Sequence, residues 1–596
     1  MKFSGFRSWL QNERYLRYLN RFSFLLSFSA LLVALYDLGF RHPEAEETKL
    51  NYFFFSVLTA GVIITLLRYY FFRINFNLKI RIFDSLFGTV CIFLILIKIE
   101  GLLENLPFME FINKMLFVYI AALIYFVREF ATVDFSIKNQ YLNPAQLFIT
   151  SFLFIIVAGT ALLMLPKATH EGISLLDALF TSTSAVCVTG LIVVDTGSYF
   201  TIFGQTIILF LMQVGGLGIM TFASYFSYFF RGQTSYQNQL MLKDATNSEK
   251  IGEVFDVLKK ILFITFSVEL IGTLLIYFSL SPSDVALIGD RLFFSIFHAV
   301  SGFCNAGFST LENSLYEPAF RFNYPLHLSI AFLFILGGIG FPILLNLYKY
   351  AKTRLKNLFL KLTKRKALPN SPWAINLNTR IVMVTTFILL SVGSIGFYIS
   401  EYNNTLAEHG WFGKIVTAFF GASTPRTAGF NTVDTGALNF STILLILLLM
   451  WIGASPASTG GGIKTSTIAV SVLNFFSLAK GKDRIEVYRR ELSNTSVRRA
   501  FAIISLSLMV IGFAVFLITN FEKDKPILSI VFEAFSAYST VGLSTGITAD
   551  LSSYSKVVII FAMFIGRVSM LTLLIAVLRR VKHLNYRYPT DEILIN

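Results

Sequence analysis

The chain is written as long apolar runs separated by short polar ones. Apolar runs at about 20–40, 51–72, 84–99 and 112–130 come first, each close to the roughly 20 residues that cross a bilayer as a helix. From about residue 140 a unit repeats: an apolar run, an amphipathic stretch of about 10–12 residues, a glycine-centred loop and a second apolar run. The first runs cover about 145–165, 259–280, 379–400 and 498–520, the second about 202–226, 326–348, 440–475 and 555–578. The amphipathic stretch is too short to span, so it is predicted to enter the membrane and turn back. Each unit then reads helix, re-entrant half-helix, loop, helix. A membrane β-barrel would alternate apolar and polar positions in segments of about 10 residues, and that pattern is missing.

The loops share one pattern, Phe-x3-Ser-x5-Gly, which occurs four times and nowhere else. It runs from Phe180 through Ser184 to Gly190, Phe297 through Ser301 to Gly307, Phe419 through Ser423 to Gly429, and Phe532 through Ser536 to Gly542. The glycines stand 117, 122 and 113 residues apart, each followed by Leu or Phe. A period this long is no solenoid repeat; four covalently joined units predict pseudo-fourfold symmetry around one pore. The predicted fold is an all-α polytopic membrane protein. It divides into an N-terminal membrane extension of about four helices (1–139), pore units at 140–230, 231–350 and 351–480, and a fourth unit with the C-terminal tail at 481–596.

Composition agrees. With 55% hydrophobic and 14% charged residues, the chain is far more apolar than a soluble domain. A net charge of +15 would suggest nucleic acid in a soluble protein. Here the basic residues sit in short loops, a topology signal instead. Lys2, Arg7, Arg14, Arg17 and Arg21 precede the first run, Arg68, Arg73, Lys79 and Arg81 lie between the second and third, and Arg128 and Lys138 follow the fourth. The alternate loops carry Glu44, Glu46, Glu47, Glu100, Glu104 and Glu110. This puts the N-terminus on the cytoplasmic side of a cell membrane. Lys349, Lys352, Arg354, Lys356, Lys361, Lys364, Arg365 and Lys366 separate units two and three, and Lys480, Lys482, Arg484, Arg489, Arg490, Arg498 and Arg499 separate three and four. Arg579, Arg580 and Lys582 close the last helix, so all four glycine loops dip in from outside. These basic stretches are read first as topology signals and second as a docking face for an acidic partner or anionic lipid. No small-residue cleavage site follows the first run, so no removable signal peptide is expected.

Irregular backbone at membrane depth is tolerated only where protein buries it or water reaches it. Four loops meeting on one axis provide such a place, and a glycine in each opens backbone conformations closed to other residues. Successive carbonyls aimed at the axis replace the hydration shell of a K⁺ ion. The preceding half-helix adds its negative C-terminal end. The fourth copy, Thr540-Val541-Gly542-Leu543-Ser544, comes close to the potassium-filter string TVGYG. The others keep only the central glycine: Val188-Thr189-Gly190, Asn305-Ala306-Gly307 and Thr427-Ala428-Gly429. A degenerate filter with a potassium preference is expected, with K⁺ bound through these residues alone and no cofactor in this chain.

These four copies, with Gln213-Val-Gly-Gly-Leu-Gly-Ile-Met220 and Ser458-Thr-Gly-Gly-Gly-Ile-Lys-Thr465, resemble the Trk/Ktr/HKT superfamily, most closely its KtrB-type membrane subunits. The resemblance covers about residues 140–585; residues 1–135 lie outside it. It implies a homodimer with one pore per subunit, resting on a cytosolic ring of nucleotide-binding (RCK/KTN-type) regulatory subunits. It implies K⁺ uptake, with no enzymatic activity and no nucleic acid.

The second apolar run of unit three is broken by Gly453-Ala454-Ser455-Pro456-Ala457-Ser458-Thr459-Gly460-Gly461-Gly462. Proline removes a donor and each glycine costs about 1 kcal/mol against Ala, so this helix is predicted to be discontinuous. The break is either intramembrane or an external turn. In the resembled family the stretch is a mobile loop below the filter that gates the pore; Ala457 stands where that family often has Gly. Arg567 lies deep within its run, which marks it as functional by default or as paired with a carboxylate, Glu269 or Glu533. The resemblance gives it a place facing the pore below the filter. Ser569-Met570 departs from the Gly-Pro common beside that arginine, which puts the local helix geometry in question. Two readings stand for Lys464, lining the same cavity or snorkelling to the cytoplasm. Arg426 is read as a structural pair ahead of a vestibule charge.

Cys91, Cys187 and Cys304 form no CxxC, and His42, His170, His298, His327, His409 and His583 are dispersed, so no disulfide framework, zinc site or catalytic cluster is indicated. A secondary transporter built from inverted repeats would suit broken helices, but these units repeat in one direction. A membrane enzyme lacks its acid or His constellation. Ammonium remains a possible cargo beside potassium.

Overall fold

The computed structural model of the chain describes residues 13–72, 78–100, 115–132, 144–218, 254–363 and 375–578. Lys2, Arg7, Arg73, Glu104, Glu110, Lys138, Met220, Lys364, Arg365, Lys366, Arg579, Arg580, Lys582 and His583 lie outside the described residues, as do the boundaries at 139 and 230.

Four helices come first: α1 (Glu13–Gly39), α2 (Glu44–Phe72), α3 (Leu78–Glu100) and α4 (Met115–Thr132). Their shared core includes Ala30, Phe54, Leu58, Phe87, Ala121 and Tyr125. Apolar packing alone leaves charges to be satisfied, and the bundle does so internally. Arg68 grips Glu129 with two bonds of 2.7 and 2.8 Å, Arg128 grips Asp84 with two of 3.0 Å, and Arg128 also reaches Glu129 at 2.9 Å. All four side chains are buried and their formal charges cancel. Burial of these ions is tolerable only because each guanidinium meets carboxylate oxygens in paired geometry. The bundle is tied to the rest of the chain where Lys167 donates its N–H to the Gly39 carbonyl at 2.9 Å and its Nζ to the Asp37 carbonyl at 3.0 Å.

The rest of the chain repeats one arrangement. The first unit holds α5 (Pro144–Leu163), the short α6 (Leu175–Val186) and α7 (Ile202–Leu217). The second holds α8 (Val254–Ser279), the short α9 (Pro282–Ile288), α10 (Arg291–Cys304), α11 (Tyr324–Ile339) and α12 (Phe341–Leu362). The third holds α13 (Leu377–Glu401), α14 (Trp411–Ser423), α15 (Phe440–Trp451) and α16 (Thr465–Ala479); a two-strand hairpin, β1 (Glu486–Val487) with β2 (Arg490–Glu491), follows. The fourth holds α17 (Asn494–Phe521), α18 (Ile527–Ser539), α19 (Ser553–Val568) and α20 (Met570–Val577). The amphipathic stretches are the helices α6, α10, α14 and α18, of 12 to 14 residues. At 1.5 Å per residue they reach only about 20 Å, short of a bilayer core of about 30 Å. Among the described residues five helices are long and apolar enough to cross a membrane, within α1, α2, α8, α13 and α17.

The second helices depart from the sequence reading. Uninterrupted apolar patterns over 326–348 and 555–578 predict single helices, and residues beyond 348 read as a loop. Instead the chain turns by 103° between α11 and α12 and by 86° between α19 and α20, and α12 continues to Leu362. The pivots are single residues of left-handed φ: Gly340 at φ 96°, ψ 141° and Ser569 at φ 74°, ψ 129°. Gly218, which ends α7, has nearly the same angles at φ 78°, ψ 125°. In unit three the whole stretch Ile452–Lys464 is non-helical between α15 and α16. The second helices of units two, three and four are therefore interrupted, not the third alone; the continuation of α7 lies outside the described residues.

Ser569 adopts a geometry that the chain elsewhere gives to glycine, and a side chain there stores about 1–3 kcal/mol of strain. Ser569→Gly is expected to raise the thermal unfolding midpoint of the detergent-solubilised protein; an unchanged or lowered midpoint would count against strain at the bend.

Candidate functional site

Each short helix delivers its glycine loop by the same hydrogen bonds, which explain why the motif needs its serine. The main-chain carbonyl of Ser184 accepts from Thr189 N–H at 2.8 Å and its hydroxyl accepts from Gly190 N–H at 3.0 Å. Ser536 repeats both bonds with Val541 and Gly542, at 2.9 and 3.1 Å. The Ser301 carbonyl accepts from Ala306 N–H at 2.8 Å, while its hydroxyl donates to the Phe308 carbonyl at 2.7 Å. In the third copy these tasks fall one residue later. The Thr424 carbonyl accepts from Ala428 N–H at 2.9 Å and its hydroxyl donates to Phe430 at 2.6 Å, while Ser423 bonds back into its own helix. Phe420, not Phe419, is likewise the fully buried ring, like Phe180, Phe297 and Phe532. The third loop thus turns in one residue fewer than its sequence alignment suggests.

The four loops have one backbone signature. The residue two before each glycine is left-handed, Val188, Asn305, Thr427 and Thr540 at φ 58°, 59°, 72° and 52°, and so is each glycine, Gly190, Gly307, Gly429 and Gly542 at φ 90°, 71°, 83° and 92°. In an extended strand successive carbonyls point to opposite sides; alternating left-handed residues rotate the peptide planes so that they point the same way. The loops also touch in cyclic order. A Cβ added to Gly190 would strike Ala306 and Gly307, one on Gly307 would strike Ala428 and Gly429, one on Gly429 would strike Val541, and one on Gly542 would strike Thr189 and Gly190. Closure of that cycle puts the second and fourth loops across from each other.

Those two opposite loops are braced from behind. Immediately after the buried phenylalanine stand His298 in the second copy and Glu533 in the fourth, both buried. His298 Nε2 lies 2.9 Å from the hydroxyl of Ser309, two residues beyond Gly307. Glu533 accepts from the Ser544 hydroxyl, two residues beyond Gly542, from Thr545 N–H at 3.2 Å and from the Thr548 hydroxyl at 2.9 Å. The same position holds Thr181, whose hydroxyl has no partner, in the first copy and Gly421 in the third. The sequence reading passed over this brace: Glu533 entered it only as a partner for Arg567 and His298 only as one of six dispersed histidines. Comparing the four copies at the position after each phenylalanine would have singled it out. Glu401 was missed as well. Buried at the end of α13, it accepts from Asn439 N–H at 2.9 Å and from the hydroxyls of Thr405 and Thr442, tying the third unit's outer loop down.

Below the ring, the non-helical stretch 452–464 is fastened to the loops above it. Thr459 donates to Asn305 Oδ1 at 2.9 Å, Gly461 N–H donates to the Thr540 hydroxyl at 3.0 Å, and Gly460 sits against Thr427 so closely that a Cβ would overlap its hydroxyl. Ser455 N–H reaches the Gly338 carbonyl at 2.9 Å, Phe341 N–H reaches the Ala457 carbonyl at 3.1 Å, and the Thr465 and Ser455 hydroxyls stand 3.2 Å apart. Pro456 faces the bend at Gly340 through its carbonyl, Ser458 donates to the Ser455 carbonyl at 2.6 Å, and Gly462 packs against Ser539. Lys464 Nζ donates to the carbonyls of Gly460 at 2.6 Å and Gly461 at 3.2 Å, so it caps the stretch from within. Arg567 donates to the carbonyls of Thr459 and Gly215. Its predicted carboxylate partners are occupied elsewhere: Glu269 faces Gln213 at 3.3 Å and Glu533 holds the fourth loop. The side chain bridges α7 and the non-helical stretch of unit three by main-chain oxygens, which no charge-pairing argument from sequence could anticipate.

Two cavities flank this layer. One of about 280 Å³ lies on the far side of the ring, bordered by Gly190, Gly307, Gly429, Gly542, Ser544 and Glu312. The other, of about 240 Å³, lies beneath it and is bordered by Gly218, Phe341, Ala457, Lys464 and Arg567. Arg426 is buried beside the third loop, and among the described residues no carboxylate pairs with it, so the expected structural ion pair is not found there. Among the described residues no group of three or more His, Cys, Asp or Glu side chains is placed to hold a metal ion, and Cys91, Cys187 and Cys304 are free thiols.

A multi-pass helical protein whose glycine loops close a ring between two cavities belongs to the class of membrane cation transporters, not of enzymes. The comparisons give the family. Residues 109–585 match the TrkH model, described as cation transport protein, so the chain belongs to the TrkH family. The match starts ahead of the expected residue 140 and takes in α4. The chain is 37% identical over 462 residues to Ktr system potassium uptake protein B of Bacillus subtilis, covering 77% of this chain and 98% of that one. It is 34% identical over 465 residues to the potassium/sodium uptake protein NtpJ of Enterococcus hirae, with the same coverage. The crystal structure of the potassium transporter TrkH from Vibrio parahaemolyticus shares the fold at a TM-score of 0.56 and 18% identity, covering 94% of this chain and 98% of that chain.

Removing the fourth-copy brace leaves the Ser544 hydroxyl and Thr545 N–H without their acceptor, at about 1–3 kcal/mol for buried groups, while the Thr548 hydroxyl keeps Ser544 Oγ. Glu533→Ala is expected to lower the unfolding midpoint clearly and Thr181→Ala, at the same position of the first copy, only slightly. Equal losses for the two would remove the distinction between braced and unbraced loops.

Proposed function

We propose that this protein takes up potassium across the cell membrane through a filter formed by main-chain carbonyls of the four loops. Four pore units stand in pseudo-fourfold symmetry, and the N-terminus faces the cytoplasm. The observation that carries the reading is the repeated pair of left-handed residues at Val188 and Gly190, Asn305 and Gly307, Thr427 and Gly429, and Thr540 and Gly542, which turns successive carbonyls toward one side. Thr189, Ala306, Ala428 and Val541 stand between each pair. Carbonyl rings of this kind substitute for the water around a K⁺ ion. The names of the Bacillus subtilis and Enterococcus hirae relatives support potassium as the cargo.

In this reading the stretch 455–462 is the gate. It fills the space beneath the ring, and its hydrogen bonds to Asn305 and Thr540 make it a plug that must move before an ion passes. Arg567 holds the plug through the Thr459 carbonyl and sets a fixed positive charge below the filter, which holds cations back. Lys464 adds a second positive charge to the same cavity. A homodimer resting on a cytosolic ring of nucleotide-binding regulatory subunits fits a membrane subunit of this kind. Three relatives carry "Ktr system" in their names, which supports work within a larger assembly.

The test is ion flux in proteoliposomes with K⁺, Na⁺ and NH₄⁺, with and without a co-encoded soluble partner. Gly542→Ser is expected to lower the preference for K⁺ over Na⁺, because a Cβ there meets Thr189 and Gly190 of the adjoining loop; unchanged selectivity would sink the filter assignment. Deletion of 455–462 is expected to raise flux in the absence of any partner, and a variant that stays folded with unaltered flux would dismiss the loop as gate.

A further inference from the structure

The helix α12 has no counterpart in the apolar pattern that organises the rest of the chain. Its 22 residues carry Lys349, Lys352, Arg354, Lys356 and Lys361 and not one acid. All five basic side chains are exposed. Tyr348, Leu355, Leu358, Phe359 and Leu362 are exposed too, at 50% to 75%. At 100° per residue these five fall on one stripe, with Lys349, Lys352 and Lys356 along one edge and Arg354 and Lys361 along the other. The buried Asn357 marks the opposite side, which faces the protein. An apolar stripe edged on both sides by cations is the pattern of a helix lying in a lipid headgroup layer.

The geometry sets the helix at that depth. α11 has 16 residues, so it descends about 24 Å from its start at Tyr324. A hydrocarbon core is about 30 Å thick, so a helix of this length that starts at one boundary and runs along the normal ends a few ångströms short of the other. At Gly340 the chain turns by 103°, so α12 lies nearly at right angles to α11 and parallel to the plane of a membrane that α11 crosses along its normal. A soluble protein cannot reach the stripe at that depth, whereas acyl chains can. The basic edges then lie among the headgroups, where anionic lipid attracts Lys and Arg.

The first residue of this helix is also fastened to the stretch proposed as the gate. Phe341 N–H donates to the Ala457 carbonyl at 3.1 Å, and the bend at Gly340 presses on Pro456. Phe341 and Pro342 border the lower cavity beside Ala457 and Ser458.

We propose that α12 is an interfacial helix that binds anionic phospholipid on the membrane face away from the outer cavity. Through Phe341 and Ala457 its attachment restrains the stretch 452–464. The restraint rests on the ion-pathway reading given above; the lipid binding does not.

Two measurements separate these parts. For binding, Leu358→Cys carries a nitroxide in proteoliposomes without any soluble partner, with Asp483→Cys as an aqueous reference and the unsubstituted protein as a control for the three buried thiols. The expected result is a Leu358 site open to oxygen and shielded from a water-soluble nickel chelate, with the shielding weakened when lysines 349, 352 and 356 are all replaced by Gln or when anionic lipid is omitted. A Leu358 site as open to the chelate as the Asp483 site overturns the interfacial helix and leaves a protein-docking face instead. Shielding that ignores both the lysines and lipid charge overturns the anionic-lipid part.

For the restraint, the triple Gln variant and the unsubstituted protein are compared for K⁺ flux in the same anionic vesicles, so that surface accumulation of cations is equal. The variant is expected to conduct faster, by a factor that vanishes in neutral vesicles. Equal flux in anionic vesicles, with the nitroxide result intact, overturns the link to the loop while leaving the lipid site. Absence of cation flux from the unsubstituted protein would instead count against the ion-pathway reading, with the nitroxide result unaffected.

Discussion

A peptide group that leaves its helix inside hydrocarbon has no water to bond, so its N–H and C=O must find partners in the protein. That requirement governs the centre of this molecule. Three second helices are interrupted, those of units two, three and four, and the freed groups find partners within the protein. Ser455 N–H bonds the Gly338 carbonyl, Gly461 N–H bonds Thr540, and the carbonyls of Thr459 and Gly215 are taken by Arg567. Arg567 is the one described cation that joins the first unit to the third in this way. A guanidinium suits the task, because its planar fork offers several donors in fixed directions, where an ammonium is a single point. The stretch 452–464 is thus irregular in shape and yet well bonded.

The same economy of partners shapes the upper layer. The motif serine serves twice in three of the loops, once by its main-chain carbonyl and once by its hydroxyl, so a single residue fixes the loop's height above the helix end. Thr424 does this in the third copy with a shorter turn. Glycines at positions 215, 337 and 566 let the second helices approach the carbonyl ends of α6, α10 and α18 so closely that any Cβ would overlap them. Packing without side chains brings those helix ends, and the partial negative charge they carry, close to the axis.

Much of this was legible in the sequence, and the remainder was hidden for definite reasons. The apolar spacing and the four glycines were enough to reach the family, because span length and backbone freedom are both written residue by residue. The bends at Gly340 and Ser569 were not legible, since the apolar pattern runs through them unchanged and only φ distinguishes them. The offset in the third copy was hidden by its own redundancy: Phe419-Phe420 and Ser423-Thr424 each offer two side chains fit for the same task. The partners of Arg567 were illegible in principle, because main-chain carbonyls occur at every residue and leave no signature. Lys464 turned inward for the same reason, toward two carbonyls freed by the glycines before it.

The brace behind the second and fourth loops has a mechanical consequence. A ring clamped at two opposite points and unclamped at the two between them is stiffer along one diameter than along the other. Its thermal breathing is then elliptical, with the larger amplitude across the first and third loops. If ions pass through the ring as proposed, one of the wrong radius would meet a hole that adjusts its aspect ratio before its mean size. Four identical subunits around an axis must have equal stiffness in every quadrant. One chain that carries all four quarters can assign each its own compliance, and His298 and Glu533 are where this one does so.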